Sequence, residues 1–326
     1  MIDILKDKVI LVTGGTGSFG QKFVEIVLKR HKPKKLIIFS RDEMKQYEMQ
    51  KRFNQENLRY FIGDVRDPDR LHRAFEGVDI IVHAAALKIV PTAEYNPFEA
   101  VKTNILGVEN IINAAIDHNI EKVMAISSDK AVNPVNLYGA TKMCMEKLFI
   151  AANAYTGKHV TRMSCARYGN VVGSRGSIVP LFKKQAKTGT ITVTDERMTR
   201  FWITLEQGVT FVIACIENMY GGEVFVPKIP SMKIIDLAKA VGHGCKIKKI
   251  GIRPGEKIHE CLLTEDETRH AMEFKDFFVV EPEHYWWKKK GHLKNGKRLP
   301  DGFRYSSDTN DQWLTGKDIL EMIDED

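Results

Sequence analysis

Short β-branched runs alternate with longer amphipathic stretches along the first half of the chain, and this alternation limits the fold more than any other feature. The strand-like runs cover residues 8–13, 35–40, 58–62, 79–83 and 122–127. The helical patterns between them cover residues 18–30, 41–53, 67–75 and 104–118. Parallel strands need crossovers of this length, and such crossovers are almost always right-handed. The pattern therefore predicts an α/β fold with a doubly wound parallel sheet and a ligand crevice at the carboxyl ends of its strands.

Glycines follow the first strand at a spacing that suits a dinucleotide. Gly14, Gly17 and Gly20 form G-x-x-G-x-x-G. The first permits a tight turn, the second lets the backbone approach a pyrophosphate, and the third lets the next helix pack on the sheet with its N-terminus toward the phosphates. The loop therefore predicts an NAD(P)-binding Rossmann fold. The residues expected at the pyrophosphate are Gly14, Thr16, Gly17, Ser18, Phe19 and Gly20.

The residues after the second strand bear on the choice of cofactor. NAD-binding folds usually place an acid here for the ribose 2′-hydroxyl. This chain has Ser40, Arg41 and Asp42, with Lys45 one turn later. Because an arginine fork binds a phosphate and a carboxylate would repel it, we expect NADP. Asp42 would instead serve the 2′-hydroxyl of NAD if it turned inward, so NAD stays open at this point.

Further cofactor contacts are expected after the third and fourth strands. Asp64 and Val65 are placed to meet the adenine edge, and we also assign Asn104 to the cofactor site. Three small residues after the fourth strand would let the cofactor pass close to the backbone: Ala84, Ala85 and Ala86.

Residues 1–170 are expected to form the larger, NADP-binding Rossmann domain. The pattern is less regular after residue 142, where a helix to about residue 155 and a strand near 161–168 are predicted. Beyond residue 171, Gly, Pro and short mixed elements become more frequent. We expect residues 171–326 to form a smaller mixed α/β lobe that is interleaved with the first domain and binds the substrate over the crevice.

A tyrosine and a lysine lie four residues apart on one predicted helix face. Tyr138 and Lys142 form Y-x-x-x-K. Because a tyrosine normally titrates near pH 10, it becomes a base only where positive charge stabilises its anion, and Lys142 and a nicotinamide cation would supply that charge. The pair therefore predicts oxidation of an alcohol, with Tyr138 as the proton acceptor. Both residues would also contact the cofactor.

An acid and an amine follow the hydroxyl residues at the end of the fifth strand. Ser127 and Ser128 are followed by Asp129 and Lys130. A plain reductase or a 4-epimerase needs only a hydroxyl, the tyrosine and the lysine. An elimination needs one group to remove a proton next to a ketone and another to protonate the departing hydroxyl. The order of residues therefore favours an elimination, with Ser128, Asp129 and Lys130 in the catalytic set.

Composition excludes other classes of function. The 49 Lys and Arg exceed the 42 Asp and Glu, which gives a net charge of +7 and suits an anionic ligand. The basic stretch between residues 288 and 298 is interpreted as a solvated loop, because no aromatic-basic platform for nucleic acid repeats along it. Neither a membrane span nor a signal peptide is predicted, and the five cysteines lack metal or disulfide spacing. We therefore expect a cytoplasmic protein without a metal.

These motifs together resemble the extended short-chain dehydrogenase/reductase superfamily. Within it, the chain is similar to the inverting UDP-N-acetylglucosamine 4,6-dehydratases. The resemblance runs from residue 13 to about residue 314 and includes HAAALKIVPTAEYNP (83–97), SSDKAVNPVNLYGATK (127–142) and GIRPGEKIHE (251–260). Ser128 stands where many relatives have Thr, but it keeps the hydroxyl. Tyr138 and the absence of a predicted span match the short inverting branch, not the membrane-bound relatives.

The resemblance implies a reaction and a cofactor. Tyr138 takes the proton of the sugar 4-hydroxyl while hydride passes from C4 to NADP. Lys130, in its neutral form, removes the C5 hydrogen, and Asp129 helps to protonate the C6 hydroxyl, which leaves as water. Hydride then returns to C6, and C5 is reprotonated from the opposite face. The neutral amine requires a low pKa, which we expect from Lys142, Lys88 and partial burial.

The resemblance also implies a pathway, an assembly and substrate contacts. The product would begin pseudaminic acid synthesis, and the enzyme would be a homo-oligomer, a hexamer by analogy. Arg200 either binds substrate or pairs with an acid between the lobes, and Arg253 is the expected diphosphate ligand. The expected contacts with UDP-N-acetylglucosamine are Lys88, Asn170, Arg175, Gly176, Arg200, Arg253 and Glu256. Met198, Phe201 and Trp202 are expected to pack at the lobe interface, and His83 to be buried without a catalytic role.

Other functions fit parts of the same pattern. A UDP-hexose 4-epimerase would keep the hydroxyl, Tyr138 and Lys142 but has no use for Lys130, and a retaining 4,6-dehydratase would share the fold. A non-catalytic NADP-binding regulator or nucleic-acid partner would leave Tyr138 and Lys142 unexplained. The pattern favours the inverting dehydratase.

Overall fold

The computed structural model describes residues 3–174, 176–284, 287 and 293–325. Its strands are β1 (Val9–Thr13), β2 (Lys35–Ser40), β3 (Leu58–Ile62), β4 (Ile80–His83), β5 (Lys122–Ser128), β6 (Arg162–Tyr168), β7 (Asn170–Val171), β8 (Thr190–Val193), β9 (Thr199–Ile203), β10 (Val224–Pro227), β11 (Ser231–Lys233), β12 (Lys246–Lys249), β13 (Cys261–Leu263), β14 (Ala271–Glu273), β15 (Phe277–Val280), β16 (Lys297–Arg298) and β17 (Tyr305–Ser306). Its helices are α1 (Ser18–Arg30), α2 (Glu43–Phe53), α3 (Pro68–Phe75), α4 (Val90–Tyr95), α5 (Pro97–Val101), α6 (Gly107–Asp117), α7 (Leu137–Ala152), α8 (Ile178–Ala186), α9 (Leu205–Asn218), α10 (Ile234–Val241), α11 (Glu265–Thr268) and α12 (Gly316–Glu325).

One large sheet organises the molecule, with strand order β16-β14-β15-β10-β6-β5-β4-β1-β2-β3. The strands from β10 to β3 run parallel to one another. The remaining three strands, β15, β14 and β16, extend the sheet in antiparallel pairs. The chain order reverses at β1, which lies between β2 and β4. This arrangement confirms the predicted doubly wound α/β fold, with its crevice expected at that reversal.

Two predicted helix starts are early because an aspartate there is a cap. The α2 helix begins at Glu43, after Asp42 accepts a hydrogen bond from the Lys45 backbone N–H at 3.0 Å. Asp67 caps α3 in the same way, and Pro68 occupies the first turn of that helix. A cap residue has extended backbone geometry outside the helix, so its polar side chain marks the boundary.

The region between β4 and β5 differs most from the predicted pattern. Two short helices, α4 and α5, precede α6, and each has a proline in its first turn. A π-helical turn, Lys102–Leu106, then leads into α6, which begins at Gly107. The helical pattern predicted from residue 104 therefore covers two kinds of helix, because amphipathic periodicity does not distinguish a π-helical turn from the α-helix that follows it.

The second half of the chain builds a smaller core and also returns to the main sheet. The smaller core contains Met198 and Trp202, whereas Phe201 packs in the main core, and all three are buried. Strands β10, β14, β15 and β16 all follow residue 171 and join the main sheet. The two parts are thus intertwined in the sheet, and the division at residue 170 stays a prediction.

The basic stretch is only partly described. Residues 288–290 lie outside the described residues, whereas Lys297 and Arg298 form the exposed edge strand β16 and not the loop that was expected. Within the described ranges, no helix combines the length and the apolar character needed to cross a membrane.

Gly20 is required where α1 meets the loop before it. A Cβ atom at position 20 would lie 2.5 Å from the Gly15 backbone. We expect Gly20→Ala to lower the free energy of unfolding by about 1–3 kcal/mol, as overpacking does, in urea denaturation. Gly208→Ala in α9 is the matched control, because its new methyl meets only Ile203 Cδ1 at 4.0 Å. Equal stability of the Gly20→Ala variant and the unsubstituted protein would contradict this view of the loop.

Candidate active site

A crevice with a volume of about 1040 Å³ lies at the carboxyl ends of the parallel strands. Many of the residues predicted for the site line it. From the predicted cofactor set these are Gly14, Thr16, Gly17, Ser18, Phe19, Gly20, Ser40, Arg41, Asp42, Lys45, Asp64, Val65, Ala84, Ala85, Ala86, Tyr138 and Lys142. From the remaining predicted residues these are Lys88, Ser128, Lys130, Asn170 and Gly176. The glycine loop, the catalytic motif and part of the predicted substrate set therefore share one cavity.

The glycine loop has room for backbone but not for side chains. Gly14 has a φ of +66°, and a Cβ there would lie 2.9 Å from Ala85 N and 3.0 Å from the Ala84 carbonyl. Gly17 is the N-cap of α1 and has no capping side chain. The backbone N–H groups of the first turn, next to the crevice, are therefore not bonded by a cap. Those donors at a helix N-terminus fit the pyrophosphate of a dinucleotide.

The charged residues after β2 differ in how far they are already bonded within the protein. Asp42 caps α2 and also forms an ion pair with the Lys45 ammonium. The Ser40 hydroxyl accepts a hydrogen bond from Gln46 at 3.0 Å. Arg41 is half exposed, and its guanidinium lies 3.6 Å from Asp64. The carboxylate that left the choice of cofactor open is therefore engaged by its own helix, and the arginine at the same strand end is presented to the crevice.

Asn104 does not line the crevice, contrary to its assignment to the cofactor site. Its amide nitrogen donates to the Leu87 carbonyl at 2.9 Å and to the Thr141 hydroxyl at 3.0 Å. Its amide oxygen accepts from the Leu87 backbone N–H at 2.8 Å. These bonds use the side chain to tie the segment after β4 to α7, the helix that carries Tyr138.

The end of β5 brings together a hydroxyl, an acid and an amine, with the tyrosine of α7 beside them. Ser128 donates to Asp129 Oδ1 at 2.8 Å, and Lys130 Nζ donates to the same oxygen at 3.0 Å. Asp129 lies fully buried behind the lining residues. Burial raises the pKa of Tyr138 and Asp129 adds to this, whereas Lys130 and a hydrogen bond with Ser128 act to lower it. Lys130 is thus the cation whose charge acts to lower the pKa of Tyr138.

The expected low pKa of Lys130 is wrong for this arrangement. Burial favours the neutral amine, but the charges of Asp129 and Glu260 outweigh it and raise the pKa of Lys130 above its ordinary value. Lys88 bears the opposite effect, since burial and the Lys130 charge both lower its pKa. The resting structure therefore holds Lys130 as an ammonium.

Lys142 lines the crevice, and its amine is bonded to β5 and to its own helix. Its Nζ donates to the Ile126 carbonyl at 2.5 Å and to Met145 Sδ at 3.0 Å. Burial lowers its pKa to about 8, although the Glu146 carboxylate acts in the opposite direction. Lys142 therefore lies beneath the strand end, held by a backbone carbonyl.

Several predicted substrate residues do not line the crevice. Arg200 donates to the Thr199 and Ile258 carbonyls at 2.7 and 3.0 Å and lies 3.7 Å from Glu260, which matches the structural alternative. Arg253 is half exposed and pairs with Glu256 at 3.5 Å. Both residues lie outside the lining, in a loop whose Gly255 carbonyl accepts a hydrogen bond from Asn136 just before α7. Arg175 lies outside the described residues.

Sequence reasoning missed the buried charges that surround the motif. Glu260 lies 3.8 Å from Lys130, although it follows that residue by more than one hundred positions. Tyr168 lines the crevice, and burial together with Tyr138 raises its pKa. The segment GIRPGEKIHE, which ends at Glu260, was part of the resemblance and was the one signal available for that residue. Its geometry was not readable from local periodicity.

His83 is buried, with one of its two ring nitrogens bonded. Its Nδ1 lies 2.8 Å from the Thr13 hydroxyl, and burial lowers its pKa to about 3, so the ring is neutral. Across the described ranges, no group of three His, Cys, Asp or Glu side chains is placed to hold a metal ion.

Residues 10–282 match the family of polysaccharide biosynthesis proteins. UDP-N-acetylglucosamine 4,6-dehydratase (inverting) of Campylobacter jejuni is 51% identical over 324 residues, which cover 97% of each chain. UDP-glucose 4-epimerase of Rickettsia massiliae is 43% identical over 282 residues, which cover 84% of this chain and 83% of the relative.

Solved structures extend the comparison to the fold. The X-ray structure of Pen from Bacillus thuringiensis superposes with a TM-score of 0.89 at 39% identity, over 99% of both chains. A dTDP-glucose 4,6-dehydratase from Streptomyces venezuelae, solved with NAD and TYD bound, gives a TM-score of 0.69 at 21% identity, over 76% of this chain and 86% of the other. The second likeness shows the fold alone.

The buried amine of Lys142 should make stability depend on pH. Its pKa is about 8 in the folded chain against 10.5 ordinarily, so the unfolded chain binds more protons between these values and stability rises with pH there. Lys142→Met should therefore raise the free energy of unfolding at pH 7 by up to about 3 kcal/mol, and the gain should shrink toward pH 10. Urea denaturation at both pH values tests this.

The control for this test is Lys317→Met, because the Lys317 side chain is 85% exposed and should leave the pH dependence unchanged. A Lys142→Met variant whose stability follows the same pH dependence as the unsubstituted protein would show that Lys142 keeps an ordinary pKa in the fold.

Proposed function

The chain belongs to the polysaccharide biosynthesis protein family, together with the inverting UDP-N-acetylglucosamine 4,6-dehydratases, and from this premise we propose that it dehydrates UDP-N-acetylglucosamine across C5 and C6 with inversion at C5. The product is UDP-2-acetamido-2,6-dideoxy-β-L-arabino-hex-4-ulose. The observation that carries the proposal is the contact of Lys130 with Asp129, next to Ser128 and Tyr138 at the mouth of the crevice. An elimination needs this acid and amine, and a simple alcohol oxidation does not.

Named residues accept the protons from O4 and C5 and donate the proton that leaves with water. Tyr138 accepts the proton of the sugar 4-hydroxyl, with Ser128 hydrogen-bonded to the phenol. The glycine loop and Arg41 would hold a nicotinamide cofactor, which would supply a hydride acceptor for C4 and a hydride donor for C6. Lys130 first passes a proton to Asp129 along their 3.0 Å contact, which leaves a neutral amine beside a protonated acid. The ketone at C4 acidifies C5, whose proton passes to Lys130 while the C6 hydroxyl takes the proton from Asp129 and leaves as water. C5 then regains a proton on its opposite face. The two protons removed, from O4 and C5, equal the two consumed, in water and at C5.

We propose NADP as the cofactor. The support is the half-exposed Arg41 at the end of β2, combined with the engagement of Asp42 by the α2 backbone and Lys45. A carboxylate turned toward the crevice at this position would favour the 2′-hydroxyl of NAD, whereas an exposed guanidinium favours a 2′-phosphate, even with Asp64 3.6 Å away. The dinucleotide fits the crevice because the glycine loop has no side chains where the pyrophosphate would lie.

Lys88, Asn170 and Gly176 are the described residues that we propose for the UDP-sugar, since all three line the crevice. The resemblance supports Arg253, Glu256 and Arg175 as further contacts of the nucleotide, and we keep them in the proposed set. We further propose that the enzyme acts in the cytoplasm as a homo-oligomer, and that its product enters pseudaminic acid synthesis.

A 4-epimerase is the alternative, and the 43% identity to a protein named UDP-glucose 4-epimerase favours its consideration. An epimerase leaves the C6 hydroxyl in place, so its product has the mass of the substrate, whereas dehydration removes one water. NMR of the product formed from UDP-N-acetylglucosamine in deuterated water separates the two. A C6 methyl group and deuterium at C5 with inverted configuration support the proposal, and an intact C6 hydroxyl refutes it.

Removal of the Lys130 amine should stop water loss without preventing cofactor binding. Lys130→Met keeps the length of the side chain, so we expect dehydration to fall by at least about a hundredfold, as loss of a general base does. Mass spectrometry follows the product and calorimetry follows NADP binding. Lys102→Met, at an exposed lysine on the π-helical turn, is the control. Dehydration at an unchanged rate in the Lys130→Met variant would remove this residue from the base role.

Arg41 should determine the preference between the two nicotinamide cofactors. Loss of a charge-assisted hydrogen bond to phosphate costs about 1.5–3 kcal/mol, so Arg41→Ala should weaken NADP binding by about ten- to a hundredfold and leave NAD binding nearly unchanged. Isothermal titration with each cofactor measures both affinities. Arg52→Ala is the control, because Arg52 lies in α2, pairs with Glu25 and does not line the crevice. An equal effect on both cofactors would contradict the assignment.

A further inference from the structure

Lys130 lies between two carboxylates, and one of them comes from the distant part of the chain. Its Nζ is 3.0 Å from Asp129 Oδ1 and 3.8 Å from Glu260 Oε1. Both carboxylates are buried, with Asp129 at 0% and Glu260 at 3% exposure, whereas the Lys130 side chain is 27% exposed and lines the crevice. The amine is therefore the one member of the group that a ligand in the crevice reaches directly.

Glu260 is held in place by contacts that do not depend on Lys130. Its backbone N–H donates to the Ser307 hydroxyl at 2.9 Å, just before β13. Its carboxylate lies 3.7 Å from Arg200 Nε and 3.6 Å from Lys257 Nζ. Lys257 also donates to the Val132 carbonyl and so ties this segment to the turn that contains Lys130. The position of the carboxylate is thus fixed before any substrate arrives.

One oxygen on each carboxylate has no hydrogen bond within the described part of the chain. Asp129 Oδ2 and Glu260 Oε2 are buried and without such a partner. A buried carboxylate oxygen without a donor is costly, and such an exception in a folded protein needs a reason other than stability. The arrangement therefore keeps acceptor capacity next to the amine, where a proton would be exchanged.

We infer that Glu260 is a positioning residue for Lys130: it fixes the amine at the mouth of the crevice and sets the pH at which that amine becomes a base. This inference rests on the proposed function, because it assigns Lys130 the task of removing the C5 proton. Arg200 and Lys257 offset the charge of Glu260 and so moderate its hold on the ammonium. The loop GIRPGEKIHE thereby contributes to the acid–base chemistry, although Arg253 and Glu256 within it do not line the crevice.

The charges that face Lys130 determine the sign of each substitution. Asp129 and Glu260 raise its pKa, and Arg200 lowers it. The charge of Lys130 in turn acts to lower the pKa values of Lys88 and Tyr138. Removing the Glu260 charge should therefore lower the pKa of Lys130, and removing the Lys257 charge should raise it by strengthening the hold of Glu260. The base form then appears at a lower pH in the first variant and at a higher pH in the second.

The direct test measures the titration of Lys130 without turnover. Trace labelling of the full-length protein with acetic anhydride across a pH series, followed by mass spectrometry of the peptide that contains Lys130, reports the pH at which the amine becomes reactive. Glu260→Gln should lower that midpoint by about 1–3 pH units, as removal of a neighbouring opposite charge does. Lys257→Met should move it upward, and Glu260→Asp should restore most of the original value.

A kinetic test connects the titration to the reaction. The pH profile of deuterium uptake at C5 should move with the labelling midpoint in Glu260→Gln, and this movement should vanish when Lys130→Met is added, because both changes act on one group. Glu223→Gln is the matched control, since Glu223 is fully buried and bonds Ser164 at 2.7 Å outside the crevice lining. Its labelling midpoint at Lys130 should not change.

The outcomes separate this inference from the proposed function. If the unsubstituted protein releases no water from UDP-N-acetylglucosamine, the proposed function fails, whatever the labelling shows. If it releases water but the Lys130 midpoint is the same in Glu260→Gln, Lys257→Met and the unsubstituted protein, Glu260 has no such role. Should Glu260→Gln not fold, an unchanged midpoint in Lys257→Met alone overturns the inference, because that variant keeps the carboxylate.

Discussion

Arg167 lies at the end of β6 with 2% of its surface exposed, and its guanidinium bonds two carboxylates that are far apart in sequence. It contacts Glu146 of α7 at 2.6 and 3.0 Å and Glu267 of α11 at 2.9 and 3.1 Å. Glu146 also accepts a hydrogen bond from Ser127 at the end of β5. One buried ion network thus joins the helix of Tyr138, the two strands beneath it and the later part of the chain. Because a buried charge without its partners is strongly unfavourable, this network fixes the helix relative to the strand ends.

Two lysine side chains of the site have pKa values shifted in opposite directions. The amine of Lys130 faces two carboxylates, and its pKa rises, whereas the amine of Lys142 faces a carbonyl and a thioether, and its pKa falls to about 8. Desolvation favours the neutral amine in both places, and only an opposing negative charge reverses its effect. The resting site therefore stores the proton on the residue that the reaction needs as a base. The proposed reaction therefore needs this proton to pass to Asp129, 3.0 Å away, before Lys130 removes the C5 hydrogen.

The regular part of the fold was predictable because its signals are local. The strand runs, the glycine loop and the amphipathic helices each follow from the spacing of apolar residues, and parallel strands bring their carboxyl ends to one edge. The segment between β4 and β5 was not predictable in the same way, since Pro91 and Pro97 start short helices and a π-helical turn imitates the periodicity of an α-helix. The return of β10 and β14–β16 to the main sheet is equally invisible locally, because pairing between distant strands leaves no periodic trace.

The sequence by itself determined which chemical groups stand at the ends of the strands and in what order: a phosphate loop, an arginine after β2, and a hydroxyl, acid and amine before Tyr138. Only the tertiary structure decided what state these groups are in. In the folded chain Asp42 caps α2, and the side chains of Asn104 and Arg200 form internal hydrogen bonds. Folding also places Glu260 3.8 Å from Lys130. The physical reason is that the sequence specifies which side chain stands at each position, whereas the protonation state of that side chain depends on burial and on neighbours that come together only on folding.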